Sequence, residues 1–370
     1  MVLEVGNNET TGHRVIYVDL LRIAATFGVI VLHTAALKWY DTPVTSFNWQ
    51  VMNIYDSLVR WTVPIFVMVS GVFHLQPNKS GTTFKAEMQK IYKKVFRIIC
   101  AIVFWGVLYN VFNLFDGFYR RNEPITIYGI IRIFGVIIIG PAYYHLWFLY
   151  MLMGLYLLTP IFRCFVNTCK REHIEYFLVL FLVIGTCIPM INSGLKFFPV
   201  FKGKSIFLPV SELTGYIGYY IAGYYFANYK IKQKMKNGIY ILGIFSLLFT
   251  IIITSVISIY NKKPFGGLYG YLLPNTMFVA YGIFLLFQEI FAKINISNAK
   301  MKIISIISKD TFGIYLIHAL LLQIFDAIGL NTLTFSPLVS IPIIAIVVII
   351  LSEMGTIILN KIPVLNKNVI

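Results

Sequence analysis

The chain has 370 residues, of which 58% are hydrophobic and 12% charged, with a formal net charge of +16 and a mean hydropathy of +0.77. A soluble domain carries about 25% charged residues, so the surplus of Ile, Leu, Phe and Tyr is lipid-facing surface. The expected class is an all-α, polytopic membrane bundle forming a single domain over 1–370. Lys and Arg fall in short runs between apolar segments with no reading module around them, which excludes nucleic acid as the partner.

Ten segments approach the ~20 apolar residues that a bilayer requires: 15–38, 50–75, 95–115, 144–166, 174–192, 211–229, 238–260, 270–291, 303–325 and 337–360. The polar N-terminus, MVLEVGNNETTGHR, lacks a basic leader and a small-residue cleavage site, so the first segment is expected to remain as a span. The loops after spans two, four, six and eight are richer in Lys and Arg than the others, which predicts that both termini are cytoplasmic.

The first span, VDLLRIAATFGVIVLHT, holds Asp19, Arg22 and His33. Arg22 and His33 are eleven residues apart, so at 100° per residue they return to nearly the same helix face. They are separated by roughly 16 Å along the axis. Asp19 sits on the neighbouring row. Either Asp19 and Arg22 snorkel at the inner interface while His33 caps the outer end, or the stripe faces the bundle interior and holds an elongated ligand at both ends.

In the second span, Asp56 and Arg60 form an i, i+4 pair, Pro64 frees a backbone carbonyl and is expected to kink the helix, and Ser70–Gly71 permit close backbone approach. The pair is either self-satisfied or lines a cavity. The stretch from Ile125 to Gly140 is short and broken by Arg132 and glycines, and reads as an interfacial or re-entrant piece.

The fourth span opens on His145 among Tyr143, Tyr144 and Trp147, at the expected outer end. An interfacial aromatic belt explains the rings better than the histidine. Glu212 opens the sixth span, either as an N-terminal helix acid or as a contact to a polar acceptor. In the ninth span Thr311, Tyr315 and His318 make one polar stripe, with Asp310 near its inner end. His13, His74 and His173 are expected to be solvated, and the four cysteines fit no common zinc spacing.

The chain has no GxSxG, Walker A, HExxH or CxxC arrangement. Its intramembrane polar set is imidazoles, arginines and hydroxyls with few carboxylates. An imidazole suits general-base activation of an alcohol, and guanidinium suits a phosphorylated donor. The pattern is that of group transfer from an anionic cytoplasmic donor to a hydroxyl. A transporter or flippase for a small polar molecule or lipid-linked sugar is the rival reading.

Four segments in order, RIAATFGVIVLH, VPIFVMVSGVF, YHLWFLYMLMGLYLLTP and TFGIYLIH, resemble the membrane-bound acyltransferase 3 family across almost the whole chain. Within it the likeness leans to the enterobacterial common antigen O-acetyltransferase. The resemblance implies a bacterial cell-membrane enzyme moving acetyl from acetyl-CoA, as substrate rather than bound cofactor, to a sugar hydroxyl of a surface glycan or its lipid-linked precursor. It implies that His33 is catalytic, as base or acyl carrier, and that Arg22 serves the donor. Asp19, Asp56, Arg60, Ser70, His145, Glu212, Tyr315 and His318 are the expected supporting residues, with no metal. The soluble domains that some relatives append are absent from the sequence, so the acceptor is expected to meet the membrane domain directly.

Overall fold

The structure, a computed structural model, describes residues 16–195, 206, 210–291, 294 and 296–369, and leaves the side chains of 121, 210–214 and 367 undescribed. Among the described residues it is helical with no strand. The helices are α1 (Ile16–Ala36), α2 (Phe47–Val59), α3 (Thr62–His74), α4 (Phe84–Arg121), α5 (Ile127–Ile139), α6 (Trp147–Thr168) and α7 (Arg171–Leu180). A π-helical turn (Phe181–Cys187) joins α7 to α8 (Ile188–Leu195). Then follow α9 (Val210–Asn228), α10 (Gln233–Asn261), α11 (Pro274–Phe291), α12 (Asn298–Ala327), α13 (Pro337–Asn360) and α14 (Pro363–Asn368).

Eight stretches among the described residues are long and apolar enough to cross a membrane. They take in eight of the ten expected segments. The sixth and eighth expected segments fold as α9 and α11, which are enclosed by other helices. Tyr219, Tyr220, Ile221 and Ala222 of α9 are fully buried, as are Ala280, Phe284 and Leu285 of α11. A helix surrounded by protein can carry Tyr, Asn and Gln, because its surface meets side chains rather than hydrocarbon.

The second expected span is broken where Pro64 predicts. Pro64 has no N–H to donate to the carbonyl of Arg60. Accordingly α2 ends at Val59 and α3 starts at Thr62, with Ile65 N–H bonded to Trp61 O at 3.0 Å. Beyond the break, α3 crosses α9 with backbones in contact. A Cβ on Gly71 would fall 1.8 Å from Tyr220 O, and one on Gly223 would fall 2.0 Å from Met68 O. Each glycine admits the other helix's main chain.

Helix α4 has 38 residues, roughly 57 Å at 1.5 Å each, well beyond the ~30 Å of a hydrocarbon core. Its antiparallel partner is two helices in series. Gly129 packs on Leu114, Gly106 packs on Ile137 and Ala142, Lys94 lies over the Tyr156 ring, and Arg163 pairs with Glu87. Thus α5 descends along the second half of α4 and α6 along the first. Side chains satisfy carbonyls on either side of the α5–α6 break. Tyr150 donates to Ile137 O at 2.8 Å, Asn110 to Ala142 O at 2.8 Å, and Tyr315 to His145 O at 2.5 Å. Interrupted backbone inside a membrane protein needs such partners. Most of α5 shows exposed Ile, Tyr and Phe, with Ile133 buried.

Helices α1 and α12 run parallel and touch along their length. Ser308 donates to Asp19 Oδ1 at 2.6 Å near one end, and the rings of His33 and His318 stack at 5.3 Å further along. The Thr332 hydroxyl donates to Thr34 O at 2.5 Å beyond them.

Candidate active site

A cavity of about 350 Å³ opens among α1, α3, α4, α6 and α12. Arg22, Lys94, Arg97, Lys309 and His74 contribute its basic and imidazole groups, and Ser70, Tyr156, Thr311 and Tyr315 its hydroxyls. Phe66, Phe148 and Phe312 provide apolar wall. Among the described residues no carboxylate lines it. A second chamber of about 310 Å³ shares His74, Lys94 and Tyr156 with the first and adds Lys90, Lys93 and Arg163.

Helical periodicity explains how one wall serves several groups. Lys309, Thr311, Phe312 and Tyr315 lie on consecutive turns of α12, and Arg22 on α1 points into the same space. The guanidinium of Arg22 also lies 5.5 Å from the Phe73 ring centre. Ser70 donates to Phe66 O at 2.9 Å within its own helix.

Beyond Tyr315 and Phe148 lies a cluster of three histidines. Ring centres are 5.3 Å apart for His33 and His318, 5.2 Å for His145 and His318, and 6.5 Å for His33 and His145. Tyr315 bridges cavity and cluster, with its ring 5.3 Å from His145 and 5.7 Å from His318. His318 Nδ1 lies 2.6 Å from the carbonyl of Tyr315. A carbonyl only accepts, so Nδ1 carries the proton and Nε2 keeps the lone pair.

His145 is 2% exposed and His318 is fully buried. Neither ring nitrogen of His145, nor Nε2 of His318, has a hydrogen-bond partner among the described residues. Leaving a buried donor or acceptor unpaired costs about 1–3 kcal/mol, and such costs concentrate where a ligand completes the set. The three imidazoles do not form a group suited to a metal ion, and no such group occurs among the described residues.

The expected site residues therefore fall into layers. Arg22, Ser70 and Tyr315 line the cavity, and His33, His145 and His318 make the adjoining cluster. The Arg22–His33 stripe does face the interior, but His33 does not share the cavity wall: its ring packs against those of Tyr144, His145 and His318. Asp19 is buried against Ser308 behind the cavity and does not snorkel. Asp56 and Arg60 pair at 2.6 Å in a further layer, where the Arg60 guanidinium lies 4.1 Å from the Tyr269 ring centre and 5.9 Å from that of Tyr271. Glu212 belongs to α9, but its side chain is outside the described residues, as is His13.

One expectation needs correction and one is sharpened. An aromatic belt explains His145 poorly, and the residue is 2% exposed at the start of α6, just after the α5–α6 break. His74 is not solvated but half-buried on the cavity wall, its ring centre 4.7 Å from that of Tyr156. Lys94, Arg97 and Lys309 are further cavity residues; in the sequence the first two read as topology-setting charges, and Lys309 belongs to no motif. Projecting them onto helix faces would have shown Lys94 and Arg97 on the row that meets α6 and α12.

Residues 15–353 match the family model described as an acyltransferase domain. No curated protein and no solved structure matches the chain. With a match over nearly the full length and eight membrane-compatible helices beneath it, the chain belongs to the acyltransferase 3 family and is a multi-pass membrane acyltransferase.

Proposed function

We propose that the protein is an O-acyltransferase of the bacterial cell membrane. It takes an acetyl group from acetyl-CoA on the cytoplasmic side and delivers it to a sugar hydroxyl of a cell-surface polysaccharide or its lipid-linked precursor. The observation that carries this reading is the cavity with Arg22, Lys94, Arg97 and Lys309 on its walls and the three-histidine cluster one side chain beyond. CoA combines a phosphate-rich head with a long thin arm. Guanidinium and ammonium groups hold phosphate oxygens. An arm anchored there reaches Tyr315 and then His33, about 16 Å along α1 from Arg22.

His33 removes the acceptor proton or carries the acyl group briefly. Its ring is half-buried and, among the described residues, forms no hydrogen bond that would tie up its nitrogens. With the basic chambers facing the cytoplasm, both termini lie on that side, in keeping with the loop charges. A surface glycan as acceptor follows from the acyltransferase reading of the chain.

The test incubates purified protein with labelled acetyl-CoA and membrane-extracted glycan precursors. Label transfer and CoA release are expected from wild type and are expected to vanish in His33→Ala. Acceptor movement across vesicles without CoA release would instead identify a transporter.

A further inference from the structure

Acyl transfer needs a donor for the oxygen that becomes negative, as well as a base. His145 has the features of that donor. It is 2% exposed, and both its ring nitrogens are unpartnered. A neutral imidazole keeps one N–H, so a buried donor is held here without an acceptor. His145 precedes the first residue of α6, Trp147, and so lies at the positive end of a 22-residue helix.

The backbone of His145 is pinned rather than mobile, because its carbonyl accepts from the Tyr315 hydroxyl at 2.5 Å. Asn110 holds the carbonyl of Ala142 three residues earlier. The ring centre of His145 is 6.5 Å from that of His33. This is the widest of the three spacings in the cluster, and it brings His145 close enough to His33 for both to act on the same small group. Preorganised donors of this kind act where charge develops.

We propose that His145 is the oxyanion donor of the transfer reaction, its ring N–H binding the carbonyl oxygen of the acyl group while His33 acts on the acceptor. The assignment rests on the acyl-transfer reading above. In the step, the acceptor O–H proton passes to His33 as the acceptor oxygen bonds to the thioester carbon. The carbonyl π pair moves onto oxygen and is held by His145. The pair then returns, the C–S bond breaks, and CoA leaves with the proton from His33. If His33 carries the acyl group first, the same oxygen is stabilised twice by the same donor. His318 stacks against His33, with ring centres 5.3 Å apart.

The test compares His145→Leu, which has no donor, with His145→Gln, which keeps an N–H but is not a base. Both are assayed as full-length detergent-solubilised protein with acetyl-CoA and a bacterial membrane extract as acceptor. His145→Leu is expected to lose roughly 10²–10³-fold in kcat, with the KM for acetyl-CoA within about threefold. His145→Gln is expected to keep activity within about tenfold of wild type. Acetyl-CoA labelled with ¹³C at the carbonyl supplies a second readout. Its stretch in the wild-type complex is expected at lower wavenumber than in water, and that reading stands even if His145→Leu fails to fold.

Equal loss in both variants, full activity in His145→Leu, or an unshifted carbonyl band would overturn the donor assignment alone. A wild type that neither binds acetyl-CoA nor releases CoA would overturn the acyl-transfer reading, and the assignment with it.

Discussion

The hydroxyl of Tyr315 donates to the carbonyl of His145 over 2.5 Å, tying a cavity-wall residue on α12 to the imidazole that begins α6. Tyr315→Phe keeps the ring and removes only this bond. A buried carbonyl left unpaired costs about 1–3 kcal/mol. The expected result is a roughly tenfold fall in kcat with little change in KM for the donor, read by steady-state CoA release, and a lower midpoint of thermal unfolding. A variant with wild-type kcat would show that the pin is dispensable.

Arg22 faces the cavity among three other cations. Arg22→Ala should therefore raise the KM for acetyl-CoA by at least tenfold and leave the KM for the acceptor almost unchanged. Arg22→Lys should recover part of the loss, because a point charge replaces a fork. Equal effects on both substrates would argue against donor binding.

Asp56 and Arg60 form a buried pair, with Asp56 at 2% exposure. Removing one partner strands the other, at a cost of about 3–5 kcal/mol. Asp56→Leu and Arg60→Leu are each expected to lower the thermal midpoint in detergent markedly, whereas the double variant should recover much of the loss. If the double variant is as unstable as the sum of the singles, the pair is not the reason for the effect.

The crossing of α3 and α9 predicts the sharpest structural effect. Gly71→Ala and Gly223→Ala each force a methyl into backbone atoms at 1.8–2.0 Å, so both should abolish recovery of folded protein on size exclusion. Gly238→Ala, with nothing within 4 Å of the new carbon, should be neutral or mildly stabilising as a helical substitution.

Much of this was legible in the sequence. The face shared by Arg22 and His33, the Asp56–Arg60 pair, the break at Pro64 and the stripe from Thr311 to His318 all follow from helical spacing. Periodicity reads each helix alone, however, and the candidate site is made between helices. The depth of His145 depends on α5 folding back beside α4, which depends on contacts such as Gly106 with Ala142. Lys94 and Arg97 were explained by topology before they could be considered as ligands. A charge at a helix end satisfies the positive-inside rule whether or not it also faces a cavity. Burial of α9 and α11 was hidden for a related reason, since hydropathy cannot distinguish a weak span from an interior one.

The parallel seating of α1 on α12 has a mechanical consequence. Asp19 with Ser308 and His33 with His318 are rungs between two rails. Sliding one rail by a single residue moves every rung by about 1.5 Å, and misplacement on that scale can cost about a hundredfold in rate. Arg22 and His33 ride on one rail, Lys309, Tyr315 and His318 on the other. A lateral force on either helix would offset Arg22 from Lys309 and His33 from His318 together, without altering any side chain.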